Sequence, residues 1–569
     1  MFLKKDKRPN GRLYLSIVEG YRDPVTKKNK QRKVKYVGFL DELEKEYQDP
    51  IAYFTNLAKE MTEEAKNKEL PIEFSFSPNE SIDSSNVLRK NIGFSVLSYF
   101  YHELDIDKFF INRNRNLNIS FSLNNIMQLL VFSRVLFPSS KKKAFENMDK
   151  FFLDFNFKLD DIYRALDYFY RYKEDLLLHI HEMVRMKFNR DTSRVFYDVT
   201  NYYFEIKEAD DFRKKGISKE HRPNPIIQMG LLMDNSGLPI TYRLFEGNTN
   251  DSTTLMPVLH DLKDDYALGR VIVVADKGIN TGENIAYNIL NKNGYIYSQT
   301  VRGSTKEVKD FVLDDEGYSI SSDCFKIKSR IVTSKIWVEN DKGKKVQVDI
   351  DQKQVAFYSP DYDKRAKYER EKAILKAEKL IEKTKNGNVK SYGASKYIES
   401  ISVDKETGEI FDDLSKSHHL DLEKINEEEK YDGYYLLVTS ELKMSNEEIL
   451  NAYRNLWKIE ETFKITKSEL ETRPVYVSLK NHIEGHFLTC FISLLLLRLL
   501  ENKLVHKYST RKLIDTMKEM TGTYVDKNYY MFDYYDEIVE DMGRAIDVDF
   551  SRRFLTLGDI KKITSDVKK

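Results

Sequence analysis

Cysteine is almost missing from this chain. Two thiols, Cys324 and Cys490, among 569 residues are too few for a disulfide framework and too few for a four-cysteine zinc site. The longest apolar run, Phe487 to Leu497, falls short of the roughly 20 residues that cross a bilayer. No P-loop motif is present, so nucleotide use is not indicated. No internal repeat of about 20–50 residues is visible. The opening MFLKKDKRPN leads into no apolar segment of the secretory kind. A dominant charge sign is missing too: 92 Lys+Arg stand against 91 Asp+Glu, a formal +1. What is present excludes wholesale disorder, since 41% of residues are hydrophobic and 12% aromatic. The length allows several domains. The expectation is a large, soluble, cytoplasmic protein with no membrane segment and no nucleotide cofactor.

The charge is balanced overall but not locally. Residues 1–40 hold 12 Lys/Arg and 3 Asp/Glu, a local +9, leaving −8 for the remainder. A basic arm on an acidic body points to a polyanion partner for that arm. Apolar and polar residues alternate in RLYLSIVEGYRD and RKVKYVGFL, with Pro24 and a Lys-rich turn between them. That pattern predicts a basic β-hairpin. It is equally the pattern of an edge hairpin kept soluble by lysine.

From about 85 to 190 the period is helical. SLNNIMQLLVFSRVLF starts at a serine, and PSSKKKAFENMDKFF begins a second helix after Pro138. Two helices joined by a tight turn, with Lys141, Lys142 and Lys143 opening the second, are compatible with a DNA-contacting helix-turn-helix or with two members of a bundle. Near 194 the period changes. VFYDVTNYYFE, IIQMGLLMD and LPITYRLFEG predict three strands, the last two joined by Asn235-Ser236-Gly237. A helix (DSTTLMPVLHDLKDD), the buried-strand run VIVVA, a second helix and the strand GYIYSQTV follow. Three antiparallel strands and then alternating helix and strand is the order of a ribonuclease H-like core. Residues 303–444 are strand-rich and polar, with turn signals at Asp341-Lys342-Gly343 and Thr407-Gly408, and one long charged helix, DKRAKYEREKAILKAEKLIEK. They read as an insertion. The fold class expected is therefore α/β multidomain. Its parts are a basic hairpin (1–45), a helical DNA-binding region (46–190), a core in two parts (191–302 and 445–500), the β-rich insertion (303–444) and a C-terminal helical region (501–569).

Three carboxylates are the candidates for chemistry. Asp198 sits within the first strand and Asp276 ends VIVVA, where α/β sheets present functional groups. A carboxylate there is costly unless paired, hydrogen-bonded or metal-bound, although Asp276 before Lys277-Gly278 is also a plausible turn residue. Ser445 and Glu448 form a capping box, and the helix they start is expected to run to about Leu470. At about 100° per residue, Tyr453, Leu456, Trp457, Glu460, Phe463, Lys464 and Lys467 share one face, which should turn to the core with Glu460 in its middle. Glu460 is then either paired with a lysine or a cation ligand. Like-charged carboxylates about 4 Å apart repel by about 4 kcal/mol per pair at an effective dielectric near 20. Mg²⁺ or Mn²⁺ would turn that repulsion into binding, and two such ions suit phosphodiester chemistry. His482 and His486, at i, i+4, have zinc-ligand spacing, but no glutamate follows the first histidine directly. Trp457 and Trp337 are candidates for stacking on an unpaired base, with packing the plainer role.

These residues resemble bacterial insertion-sequence transposases of the DDE type, in the branch whose third motif is Tyr-x₂-Arg-x₃-Glu-x₆-Lys. The motif here is YRNLWKIEETFKITK, giving Tyr453, Glu460 and Lys467 at the family spacing. DVTNYYFE, HRPNPIIQMGLLMDNSGLPITYRLFEGNTNDSTTL, VADKGINTGENI, the N-terminal hairpin and RPVYVSLKNHIEGHFLTCFISLLLL are similar to the same relatives. The resemblance implies Asp198, Asp276 and Glu460 as catalytic ligands of Mg²⁺ or Mn²⁺, and Tyr453 and Lys467 as contacts to transposon-end DNA. Trp457, Lys277 and Lys464 join them as DNA-contact candidates. It implies a DNA transposase that cuts at terminal inverted repeats of double-stranded DNA and joins 3′-hydroxyls to target DNA, as a homodimer at synapsis. One residue departs: the motif's arginine is Leu456; Arg454 and Lys464 are nearby, but Arg454 points away from the stripe, so Lys464 is the better candidate to compensate. A catalytically inactive DNA-binding relative, or a nuclease without strand transfer, are the other classes the sequence allows.

Overall fold

Alternating charge can hide a strand, and the first residues do so. The computed structural model describes residues 1–9, 11–22, 29–67, 74, 79, 88–220, 222–264, 266, 268–320, 324–339, 342–383, 396–402 and 416–568. The chain divides into two compact units, Met1–Ser84 and Ser85–Lys569. In the first, β1 (Phe2–Lys7), β2 (Leu13–Arg22) and β3 (Asn29–Phe39) form an antiparallel sheet in that order. The expected hairpin is β2–β3; β1, with its FLKKDK sequence, is an addition to it. The turn at Pro24 lies outside the described residues. Helices α1 (Leu40–Leu43) and α2 (Pro50–Asn67) follow, so α2 belongs to the hairpin's unit. Leu15, Ile17 and Val18 of β2 are buried, as are Phe54 and Ala58 of α2. Strand β3 is exposed from Asn29 through Tyr36, and carries Lys30, Arg32, Lys33 and Lys35.

The second unit opens with β4 (Arg89–Asn91) and six helices: α3 (Phe94–Glu103), α4 (Ile106–Asn114), α5 (Leu123–Leu136), α6 (Lys141–Glu146), α7 (Leu159–Arg171) and α8 (Lys173–Phe188). Ser122 and Ser140 cap α5 and α6 by accepting from the amides of Asn125 and Lys143. Helix α5 is buried from Leu123 to Leu136 apart from Asn125, and α6 has only six residues. A recognition helix needs a solvent-facing surface long enough to enter a groove. These two are bundle members, because apolar residues surround α5 on all sides.

The sheet then follows the expected order. Its first strands are β5 (Arg194–Tyr203), β6 (Ile226–Asp234) and β7 (Pro239–Glu246), antiparallel neighbours. After α9 (Leu255–Asp264), β8 (Ile272–Ala275) lies parallel to β5; after α10 (Gly282–Leu290), β9 (Gly294–Gln299) lies parallel to β8. Residues 303–444 contain α11 (Lys306–Leu313), β10 (Ser319–Ile320), β11 (Lys326–Glu339), β12 (Lys345–Tyr358), α12 (Pro360–Lys383), β13 (Ile398–Ser402), β14 (Lys416–Leu420), α13 (Leu422–Glu429) and β15 (Tyr434–Thr439). Asp341 and the Thr407-Gly408 turn lie outside the described residues. Strand β15 pairs with β9 and with β12, so this segment extends the same mixed sheet to the order β10-β11-β12-β15-β9-β8-β5-β6-β7. The β11–β12 hairpin approaches α10 so closely that a methyl on Gly282 would overlap the Trp337 carbonyl oxygen.

The helix expected from Ser445 to Leu470 is two helices, α14 (Asn446–Arg454) and α15 (Trp457–Ser468). At the junction the amides of Leu456, Lys458 and Ile459 reach back three residues, not four, to Tyr453, Asn455 and Leu456. That tightening ends the common face read from a single helical wheel. Leu456 and Phe463 are buried, whereas Trp457, Glu460 and Lys464 are exposed.

Helix α16 (Lys480–Lys503) runs through the centre of the unit. By length and composition it could span a bilayer, because the helix continues past the apolar run at both ends. Its apolar window is entirely buried, packed by α3, α5, α7, α15 and β7. Its polar residues tie those layers together. Glu484 accepts from Lys173 of α8 (3.0 Å). Arg498 donates to Glu501 (2.8 Å), to Glu461 of α15 (3.0 Å) and to Thr462 (2.8 Å). The chain continues as α17 (Thr510–Glu519), β16 (Thr521–Tyr524), β17 (Tyr529–Phe532), α18 (Glu537–Ile546), β18 (Phe554–Thr556) and α19 (Leu557–Asp566), with β4 completing a sheet of order β18-β17-β16-β4. Truncating Arg498 strands buried Glu501 without its cation. Arg498→Ala should therefore lower unfolding free energy by about 3–5 kcal/mol in urea titrations, while exposed Lys142→Ala stays within about 0.5 kcal/mol.

Candidate active site

Parallel pairing of β5 and β8 decides the site. Tyr197 is opposite Ala275, so the next residues, Asp198 and Asp276, leave that pair side by side. Asp198 is half-buried with apolar neighbours, and burial pushes its carboxyl up to about 6. The charges of Asp276 and Asp251 add to that rise; the Lys219 ammonium and the Val199 amide oppose it. Asp276 is exposed, and its Oδ1 accepts from Ser298 Oγ (2.6 Å) on β9 and from the Tyr453 hydroxyl (3.2 Å) on α14. Asp251 reaches the same sheet edge because its turn is stitched to the turn after Asp276. Asn284 donates to both Ser252 O and Ile279 O at 2.8 Å.

A cleft of about 1030 Å³ opens beside Asp276. Lys277, Tyr453, Arg454, Trp457 and Glu460 line it, with Tyr362, Arg365 and Lys376 from α12 and Tyr435 from β15. The Arg365 guanidinium is held above its usual range by bonded Glu369 first and by Glu460 among the smaller charges. Asp276 and Glu460 thus line one cleft. Among the described residues, no three His, Cys, Asp or Glu side chains close into a group able to hold a metal ion.

The other expected residues divide. Lys467 lies on the Asp198 side: its Nζ donates to Thr200 Oγ1 (2.7 Å) and is 3.6 Å from Glu220. Burial, then Lys219, brings its ammonium down to about 8, against the pull of Asp198. Trp457 is 53% exposed in the cleft, whereas Trp337, 54% exposed, lies on β11 and does not line it. Arg454 lines the cleft and Lys464 does not, the reverse of the expectation, because the break before Trp457 re-aims the two ends. Lys141 is not a surface cation. It is 5% exposed and bonded to His486 Nδ1, while His486 Nε2 donates to the Thr472 carbonyl (3.0 Å). Lys142 is exposed, and exposed Lys143 pairs with Glu146 (3.1 Å). His482 sits 3.4 Å from Asp167, so the two histidines serve different contacts. Ser298, Asp251, Lys219 and Arg365 escaped the sequence reading. Only Asp251 had a signal, a capped turn in GNTNDSTT.

Residues 203–496 match the model of the transposase DDE domain, and residues 3–73 match that of the N-terminal domain of IS1634 family transposases. The chain belongs to the DDE transposases. It is a DNA transposase of the bacterial insertion-sequence kind, and no curated protein matches it. Among solved structures, a cryo-EM structure of the piggyBac transposase synaptic complex with hairpin DNA is similar at a TM-score of 0.36 and 8% identity, covering 85% of this chain and 86% of that one. The domain match includes Asp276 and Glu460 and begins five residues after Asp198. In this transposase the raised Asp198 carboxyl has a consequence for stability. The folded chain holds a proton there between about pH 4 and 6 that the unfolded chain has released, so stability falls as pH rises through that window. Asp198→Asn removes the ionised group; in chelator, at pH 7.5, it should stabilise the protein by about 1–2 kcal/mol. The gain should vanish below about pH 4 in urea titrations across pH.

Proposed function

We propose that this transposase cuts DNA at the ends of its insertion sequence and joins the freed 3′-hydroxyls to target DNA. Asp198, Asp276 and Glu460 are its catalytic carboxylates. The observation that carries this is the adjacency of Asp198 and Asp276 on parallel strands, together with the cleft that Asp276 shares with Glu460. The strand order of three antiparallel strands and then parallel β8 and β9 supports a ribonuclease H-like core over 191–302 and 445–500. On this reading 303–444 is an insertion into it, after the hairpin (1–45) and the helical region (46–190) and before the C-terminal region (501–569).

The donor set fits Mg²⁺ or Mn²⁺. It is made of hard oxygens, and the carboxylate charges that raise Asp198 are an excess that a cation relieves. When bound, such ions supply Lewis-acid stabilisation of charge on the phosphodiester. The chain's own groups do the positioning. Ser298 and Tyr453 fix the orientation of Asp276. Lys277 and Arg454 offer charge to phosphates along the cleft, and Trp457 offers an exposed ring to a base. Lys467 braces the Asp198 side through Thr200. Lys142 and the β3 lysines are further contacts for double-stranded DNA. Two ends cut and joined together require a homodimer at synapsis, acting on DNA in the cytoplasm.

The test uses DNA carrying the element's ends with Mg²⁺. Asp276→Ala and Glu460→Gln should each lower end cleavage by roughly two orders of magnitude or more with end binding retained. Cleavage at wild-type rate by either variant contradicts the assignment. In gel-shift titrations Arg454→Ala should weaken end binding several-fold and Lys464→Ala should not.

A further inference from the structure

Between β5 and β6 the chain delivers a lysine to the carboxylate edge. Ser218 Oγ accepts from the amides of Glu220 (3.3 Å) and Arg222 (3.2 Å), and Asn201 of β5 donates to the Ile217 carbonyl (3.1 Å). These bonds set Lys219 over β5, where its Nζ donates to the carbonyl oxygen of Val199, the residue after Asp198. The ammonium therefore sits one residue along the strand from Asp198, and its charge pulls the Asp198 and Asp251 carboxyls down while burial pushes them up. It also bears on Lys467, whose ammonium it helps to lower. Lys219 is an exposed residue, so the ammonium can leave on its flexible stem without dismantling a core.

We propose that Lys219 is a further residue of the carboxylate centre: its ammonium is the counter-charge of Asp198 and Asp251 in the cation-free protein, and a divalent cation competes with it for them. This rests on reading Asp198 as a cation ligand. A dication arriving at Asp198 meets an ammonium already held there by the Val199 carbonyl, with Lys467 beyond it. Like charges at such separations repel strongly where water is scarce. Lys219 thus sets a threshold: it keeps the acidic edge neutralised until the cation is abundant enough to displace it.

The experiment titrates Mn²⁺ into the full-length, metal-free protein without DNA and counts free ion by electron paramagnetic resonance. Lys219→Met and Lys219→Gln remove the charge, and the glutamine keeps a donor for Val199. Both should bind Mn²⁺ more tightly, by on the order of tenfold, about 1.4 kcal/mol. Lys219→Arg should track the wild type, and Asp198→Asn should lose the site. Binding that depends on Asp198 but is no tighter in either neutral variant overturns the role of Lys219 alone. Binding indifferent to Asp198 in every protein overturns the cation-ligand reading and this proposal with it.

Discussion

A half-buried carboxylate beside two others is the constraint around which this protein is organised. Asp198 is raised to about 6 by burial, and Asp276 and Asp251 deepen the cost. Left alone, such a group protonates or the edge of the sheet moves. The surrounding chain prevents both by supplying partial charges from several elements: the Val199 amide, the Lys219 ammonium, and, for Asp276, hydroxyls from β9 and α14. Each belongs to a different stretch of sequence, so the carboxylates are held only when the sheet and the α14–α15 pair are assembled.

The assembly depends on α16. A helix apolar on every side needs protein on every side, and this one gathers the helical region, the sheet and α15 around itself. Its few polar residues specify the arrangement. Glu484 with Lys173 fixes the helical side, and Arg498 with Glu461 and Thr462 fixes α15. Glu461 adjoins Glu460, so the bond that orients the former toward the core leaves the latter on the cleft face. Lys141 shows the same economy. Its ammonium is spent on His486 in the core, and burial and neighbouring Arg134 bring it down to about 7.

Much of this was legible in the sequence. The strands of the sheet announce themselves by period, and the VIVVA run placed Asp276 correctly at the end of a strand. Other features were not legible, for physical reasons. Asn455 and Leu456 are ordinary helix residues with helical dihedrals, so no composition signal marked the break between α14 and α15. A single wheel then assigned Arg454 and Lys464 to the wrong sides. The burial of Lys141 is a tertiary fact, created by a histidine 345 residues away. Lys219 sits in a loop with no periodicity, and its role depends on side-chain bonds that fold the loop back over β5. The strand β1 was hidden because charge alternation on a solvated sheet resembles a tail.

The proposed site requires that three distant carboxylates share a cation. Anomalous diffraction from crystals of the protein with cleaved-end DNA and Mn²⁺ examines it directly. A shared ion gives a peak about 2.0–2.6 Å from carboxylate oxygens of both Asp198 and Asp276, with Glu460 completing the coordination of that ion or of a second beside it. Manganese found elsewhere, or held by the two aspartates while Glu460 stays turned to the α12 side of the cleft, would contradict it.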